Sequence, residues 1–404
     1  MLFRDAWLDG ARVDLRIDGA QITAVAPACS LAPQAGEAVI AGGLLSPHFA
    51  EPHVHLDATQ LGARYPNVSG TLVEGIANWA KARATLTVGD VRERALTTLR
   101  WYAARGTTRV RTHVDTASAV AAEALLALRE ELKSGFPGVP GLTVELQVVA
   151  FPQEGILRGP GREDAWRRVV EMGCDAVGAI PHFERTTDEG WRSVRLAFEL
   201  AEQHGLQLDL HCDETDDPGS RNLEVVCAEA IDRGFQGRVV CGHCTALHSY
   251  PNPHAAKVIA LVAEAGVQVV ANPLDNVVLQ GRYDHYPKRR GLTRIDQLWD
   301  AGAVVGIGHD SVVDPWYRLG RADMLDAASM AVHLGHLTGI AQMNRAFRTL
   351  HHENHLPFGA PPALIEGGRA DLLWFAAADP VEALRLRERP RVFQRGLEIA
   401  CPVA

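Results

Sequence analysis

Glu51-Pro52-His53-Val54-His55-Leu56-Asp57 sets two histidines one residue apart at the end of an apolar stretch. Side chains alternate faces along a β-strand, so His53 and His55 point the same way. Two imidazoles on one face, near an aspartate, suit a divalent metal ion. An isolated H-x-H is more often a pair of unrelated surface histidines. Three downstream segments give it weight: Leu208-Asp209-Leu210-His211-Cys212-Asp213-Glu214, Val239-Val240-Cys241-Gly242-His243 and Val304-Val305-Gly306-Ile307-Gly308-His309-Asp310. Each is a β-rich apolar run that reaches a His or Asp and then breaks into polar, turn-like sequence. Ligand-type residues at the C-terminal ends of separate strands describe the active site of a (β/α)₈ barrel.

Working outward, the expected barrel strands are Phe49–His55, Thr108–Val114, Thr143–Ala150, Ala176–Ile180, Gln207–His211, Arg238–Gly242, Val267–Ala271 and Val304–His309. Helical stretches at Asp90–Arg105, Ser118–Ser134, Trp191–His204 and Asn222–Arg233 separate several of them, with Asp90, Ser118 and Asn222 expected at the N-caps. This is the βα repeat of a parallel barrel. Val13–Ile17 and Gln21–Val25 alternate around an Asp18-Gly19 turn, and Ala370–Phe375, Pro390–Phe393 and Leu397–Ala400 are again short strands. The two ends are therefore expected to pair into one small β-domain. That gives residues 1–48 and 366–404 to the small domain and 49–365 to the barrel.

A chain of 404 residues with 47% hydrophobic content can bury a large core. Its net charge of −9 and pI near 6.0 exclude a polyanion-binding role, and no basic run is dense enough for a nucleic-acid patch. Charge enters at Arg4-Asp5, which breaks a signal peptide's apolar core, and no stretch approaches the roughly 18 apolar residues of a membrane span. Seven scattered cysteines fit a reducing cytoplasm rather than a disulfide framework. Cys241-Gly242-His243-Cys244 is formally C-x-x-C. It closes a strand and has no partner pair, so small barrel-lining residues account for it better than a zinc or redox site.

The long runs are more specific than the pattern. EPHVHLD from Glu51, SGTLVEGI at Ser69–Ile76, VRTHVD at Val110–Asp115, VAFPQEGIL at Val149–Leu157 and VGAIPHFE at Val177–Glu184 lead the set. HCDETDD from His211, HCTALHSY from His243, ANPLDN from Ala271, LQGRYDHYPKRRG at Leu279–Gly291 and GHDSVVDPW at Gly308–Trp316 complete it. With these runs the chain resembles the amidohydrolase superfamily, and within it the cytosine deaminase group.

The resemblance implies one divalent ion, iron or zinc, held by His53, His55, His211 and Asp310. Dinuclear relatives carry a lysine on the fourth strand, and Asp175–Ile180 has none. It further implies Glu214 as the proton shuttle and His243, with Asp310, as acceptors of a water proton. Gln153 would hold the ring's carbonyl and N–H edge, with Leu72, Phe151 and Trp316 as apolar walls. The remaining histidines, His48, His113, His182, His248, His309, His333 and His336, read as structural, and the His351-His352/His355 cluster as surface. The implied substrate is a small nucleobase, the implied role pyrimidine salvage in the cytoplasm, and a homo-oligomer is expected.

One position departs from the group. Cytosine deaminases of this kind commonly carry two acidic residues after Gly-His, whereas here Gly308-His309 is followed by Asp310 and Ser311. That residue lies near the ring edge carrying C5. A serine is smaller and neutral and can turn its hydroxyl away, so 5-methylcytosine is expected as a substrate beside cytosine. The alternatives are deamination of another cyclic amidine (isoguanine, isocytosine, creatinine), ring opening of a cyclic amide such as a hydantoin, or a catalytically silent scaffold.

Overall fold

A computed structural model describes residues 1–401. Eight strands run in sequence order as one parallel sheet: Phe49–Val54, Thr107–Asp115, Glu145–Phe151, Ala176–Val177, Gln207–Cys212, Val239–His243, Gln268–Ala271 and Val305–Ile307. The eighth returns to the first through a bridge between Val54 and Asp310, where the Asp310 N–H donates to the His53 carbonyl at 2.9 Å. This is a (β/α)₈ barrel, as the alternation of strand and helix signals predicts. Its core joins the barrel strands to the inner faces of the surrounding helices, through residues such as Val110, Val148, Leu210, Trp166 and Phe198.

Helix starts correct two of the N-cap assignments. Ser118 does cap Ala119–Leu132, its side chain accepting from the Ala121 N–H. Asp90 lies inside Val88–Ala103, whose cap is Thr87. Asn222 is the first helical residue of Asn222–Asp232, and its amide is taken by the Asp213 carboxylate. Threonine and aspartate serve equally as caps, so composition alone does not fix the first residue.

The chain ends share a second sheet. Its strands lie in the order Leu397–Glu398, Arg391–Gln394, Leu372–Phe375, Leu44–Ser46, Leu2–Leu8, Ala11–Asp18, Gln21–Pro27, with Val39–Ala41 beside Leu2–Leu8. Leu373 faces Ser46 across the junction of the two ends. The first hairpin turns at Gly19-Ala20, one residue later than expected, because Asp18 pairs with Gln21. His48 ties this sheet to the barrel, its ring contacting the Thr108 hydroxyl at 3.0 Å and the Phe393 carbonyl at 2.9 Å. Of the segment 366–404 assigned to this sheet, residues 402–404 lie outside the described residues.

Among the described residues no helix is long and apolar enough to cross a membrane. All seven cysteines are free thiols, and Cys241 and Cys244 are buried.

Candidate active site

The first strand sends Glu51, His53 and His55 to one side, two residues apart. Glu51 lies deepest. Its carboxyl accepts from the backbone N–H groups of His53 at 2.9 Å and His309 at 3.0 Å and from the Tyr102 hydroxyl at 2.9 Å. It thereby fastens the ends of the first and eighth strands together, and burial pushes its pKa up to about 8. Asp57, the aspartate beside the histidine pair, turns away and accepts from the Asp115 N–H at 2.9 Å.

Above Glu51 the candidate ligands converge. His55 Nε2 and His211 Nε2 are 3.1 Å apart, and Asp310 Oδ1 is 3.5 Å from His55 Nε2 and 3.8 Å from His53 Nε2. Donor atoms of His53, His55 and His211 lie within 4.8 Å of one another, as do those of His53, His243 and Asp310. Space for His53 comes from Gly242, where a Cβ would lie 2.7 Å from the His53 ring. Packing thus explains why a glycine sits between Cys241 and His243.

Backbone strain marks the same strand ends. Asp213, His243 and Asp310 have φ of 54°, 69° and 69°. Non-glycine residues enter this left-handed region at a cost and are enriched at functional sites. Asp213 is held there by Ser220 Oγ at 2.6 Å, Asn222 Nδ2 at 2.7 Å and the Leu223 N–H at 2.9 Å. This fixes the loop that carries Glu214.

The donor set fits a cation. Burial, then neighbouring imidazoles, holds His53, His55 and His211 well below the usual histidine range, so the rings are neutral and able to ligate. Both ring nitrogens of His53 and Nδ1 of His211 are buried without a hydrogen-bond partner. Burial, then the carboxylates of Asp275 and Glu214, drives Asp310 well above the usual carboxylate range. No Lys or Arg lines the cleft among the described residues, so nothing in the side chains offsets this acidic cluster. A divalent ion would satisfy the orphan nitrogens and the carboxylates together.

The cleft over this cluster encloses about 310 Å³. His55, Leu72, Gln153, His211, Glu214 and His243 line one part of it, with Asp275, Leu279, Asp310, Ser311 and Trp316 completing the wall. Glu214 Oε1 and Asp310 Oδ2 stand 3.7 and 3.9 Å from His243 Nδ1. Burial and then Asp275 push Glu214 up to about 8. Leu72 begins the helix Leu72–Arg83, capped by Thr71. Trp316 packs over Gly75, where a Cβ would meet the indole at 2.4 Å.

Three expectations change. Phe151 is fully buried and stacks on the His211 ring at 3.9 Å, supporting a candidate ligand from behind instead of lining the cleft. The Ser311 hydroxyl does not turn freely, because it donates to Asp275 Oδ2 at 2.8 Å. His351 and His355 are buried, not surface, and the His355 ring contacts the His48 carbonyl at 2.9 Å and Arg109 at 3.1 Å.

Sequence reasoning missed the residues after the seventh strand. Asn272, Asp275 and Asn276 belong to the ANPLDN run, which carries no histidine and drew no attention as chemistry. Asn276 Nδ2 contacts His243 Nδ1 at 3.0 Å, and Asn272 lies 3.4 Å from the same ring. His113 was read as structural. Its ring packs 4.1 Å from that of His53, and its Nε2 meets Asp209 Oδ1 at 3.2 Å.

With this geometry the comparisons have a frame. The sequence profile of the amidohydrolase family matches residues 40–383. The chain belongs to the amidohydrolase family. It is similar over its full length to the crystal structure of 5-methylcytosine deaminase from Klebsiella pneumoniae liganded with 5-fluorocytosine, with 37% identity, 98% of that chain covered and a TM-score of 0.91. Pterin deaminase from Rhizobium rhizogenes (strain K84 / ATCC BAA-868) is 29% identical over 399 residues, covering 95% of this chain and 86% of that protein. The structure of N-isopropylammelide isopropylaminohydrolase from Burkholderia multivorans ATCC 17616 is 28% identical, covers 98% of this chain and 97% of that one, and has a TM-score of 0.81. This amidohydrolase is thus an enzyme whose relatives hydrolyse C–N bonds of cyclic substrates.

Proposed function

We propose that this amidohydrolase deaminates a free pyrimidine base, converting cytosine and 5-substituted cytosines to the matching uracils with release of ammonia. The observation that carries the reading is one cleft holding a buried, protonated Glu214 beside His243 and the His53, His55, His211 and Asp310 cluster. The full-length similarity to 5-methylcytosine deaminase supports it. A cleft of about 310 Å³ is at the small end for ligand sites and suits a free base better than a nucleoside.

His53, His55, His211 and Asp310 would hold a single Fe²⁺ or Zn²⁺. When bound, such an ion supplies the Lewis acidity that makes water nucleophilic near neutral pH. The side chains do the rest. Glu214, protonated below about pH 8, donates its proton to the ring nitrogen beside the carbon bearing the exocyclic amine. That carbon becomes electrophilic, and His243 with Asp310 accepts the first proton of the attacking water. Glu214, now a carboxylate, takes the remaining proton from the new hydroxyl and passes it to the departing amine. The proton held by His243 and Asp310 returns to Glu214, so one water is consumed and one ammonia leaves. Gln153 grips the ring's carbonyl and N–H edge, while Leu72 and Trp316 cover its apolar parts.

The pterin deaminase similarity favours a second reading, deamination of a bicyclic amidine. Ammonia release from cytosine, 5-methylcytosine, isoguanine, isocytosine, pterin and creatinine separates the two, with ring opening of hydantoin followed alongside. Fastest turnover of a cytosine is expected. Turnover of a bicyclic base with none of the cytosines would overturn the reading.

A further inference from the structure

The corner of the cleft at Ser311 is more acidic than its sequence implies. The carboxylate missing after Asp310 returns from another element: Asp275, on the helix Pro273–Leu279, lies against Ser311 and lines the same cleft. Asp275 is 3% exposed, so its position is fixed by packing. Oδ2 accepts the Ser311 hydroxyl proton at 2.8 Å, while Oδ1 is buried without a partner. A serine whose only proton is committed to Asp275 offers the cleft oxygen lone pairs alone. Asp275 Oδ1 offers more lone pairs and no proton. The corner therefore presents acceptors, and an unpaired buried acceptor is costly until a donor reaches it.

We infer that Asp275 is a specificity-determining residue that selects substrates carrying an N–H or O–H donor at this corner. The inference rests on the reading of the cleft as a pocket for cytosine bases with C5 near Ser311. On that reading the favoured 5-substituent is a hydroxymethyl group, ahead of a methyl group, which leaves Oδ1 unpaired. A formyl group, an acceptor only, opposes its lone pairs to the carboxylate and ranks last.

The test compares kcat/KM for 5-hydroxymethyl-, 5-methyl- and 5-formylcytosine in the native protein, Asp275→Asn and Ser311→Ala. Asparagine keeps the shape and replaces one acceptor oxygen with a donor amide. The hydroxymethyl-to-methyl ratio should fall about 10-fold or more in Asp275→Asn, the size expected for losing a charged hydrogen bond. The formyl-to-methyl ratio should rise. Substituent effects on ring reactivity are common to both proteins and cancel in the comparison. Ser311→Ala retains Asp275 and should retain the hydroxymethyl preference. Ratios unchanged in Asp275→Asn would overturn the inference, and loss of the preference in Ser311→Ala would assign recognition to the serine hydroxyl instead. Failure of the proposed function looks different: the native protein would release ammonia from none of the three bases, and this inference would fall with it.

Discussion

Glu214→Gln is the substitution that bears most directly on the chemistry. Glutamine keeps the shape and the hydrogen-bonding reach of the side chain but cannot give up a proton at the required strength. Raising the carboxyl from 4.5 to about 8 corresponds to roughly 5 kcal/mol at 1.36 kcal/mol per pH unit. That energy is what burial and Asp275 charge for ionising Glu214 in the protein without its cation, and it keeps the acid loaded at neutral pH. Turnover in the variant should fall by about 10² or more, the usual size of a general acid–base contribution. Ammonia release should be measured beside metal content per chain, which should be unchanged, because Glu214 lies over the ligand cluster and not within it. In the native protein kcat/KM should decline as pH rises through about 8, where Glu214 loses the proton it must donate. Stability carries the same sign. A carboxyl raised by folding contributes stability that is present below its unfolded pKa and lost as pH rises through its folded value. Urea unfolding of the metal-free protein should therefore show native stability declining between about pH 4.5 and 8 by up to a few kcal/mol more than in the variant. Near-native turnover in Glu214→Gln, with the metal retained, would refute this role and place the proton source elsewhere.

Four further outcomes follow from the geometry. His211→Ala or Asp310→Ala should lose both bound metal and activity, and elemental analysis of the native protein should give one ion per chain; two ions would contradict the single site. Gly242→Ala should drive a methyl group against the His53 ring, 2.7 Å from the new Cβ, and lower metal occupancy on dialysis; full occupancy would mean that the strand yields. Asp213→Ala strands three donors and releases the loop before Glu214, so about 2–4 kcal/mol should be lost in urea denaturation, together with kcat. Ser311→Asp sets a carboxylate against Asp275 and fills the corner, and it should cut the preference for 5-methylcytosine over cytosine by roughly 10–200-fold; an unchanged ratio would remove Ser311 from the specificity account.

The sequence by itself determined the barrel and the place of its chemistry. Parallel strands buried on both faces read as apolar runs, and each run that ended in His53-Val54-His55, His211, His243 or Asp310 announced a strand end facing the catalytic mouth. Period-2 alternation is local, so it survives without any knowledge of neighbours, and the pairing of the two chain ends was legible for the same reason. Cap positions such as Thr87 were not, because several residue types satisfy the same orphan N–H groups. Tertiary structure alone decided what each polar group faces. Asp275 looked like one more polar residue in a turn, yet helix packing carries it 36 positions along the chain to the Ser311 hydroxyl. Phe151 looked like a pocket wall and proved to be the plane behind His211, and His355 looked exposed and proved to be buried beneath the barrel strands. Ligand geometry, the charging energy of Glu214 and the acceptor character of the Ser311 corner all depend on distances between residues far apart in sequence. Such distances are fixed only when the barrel closes.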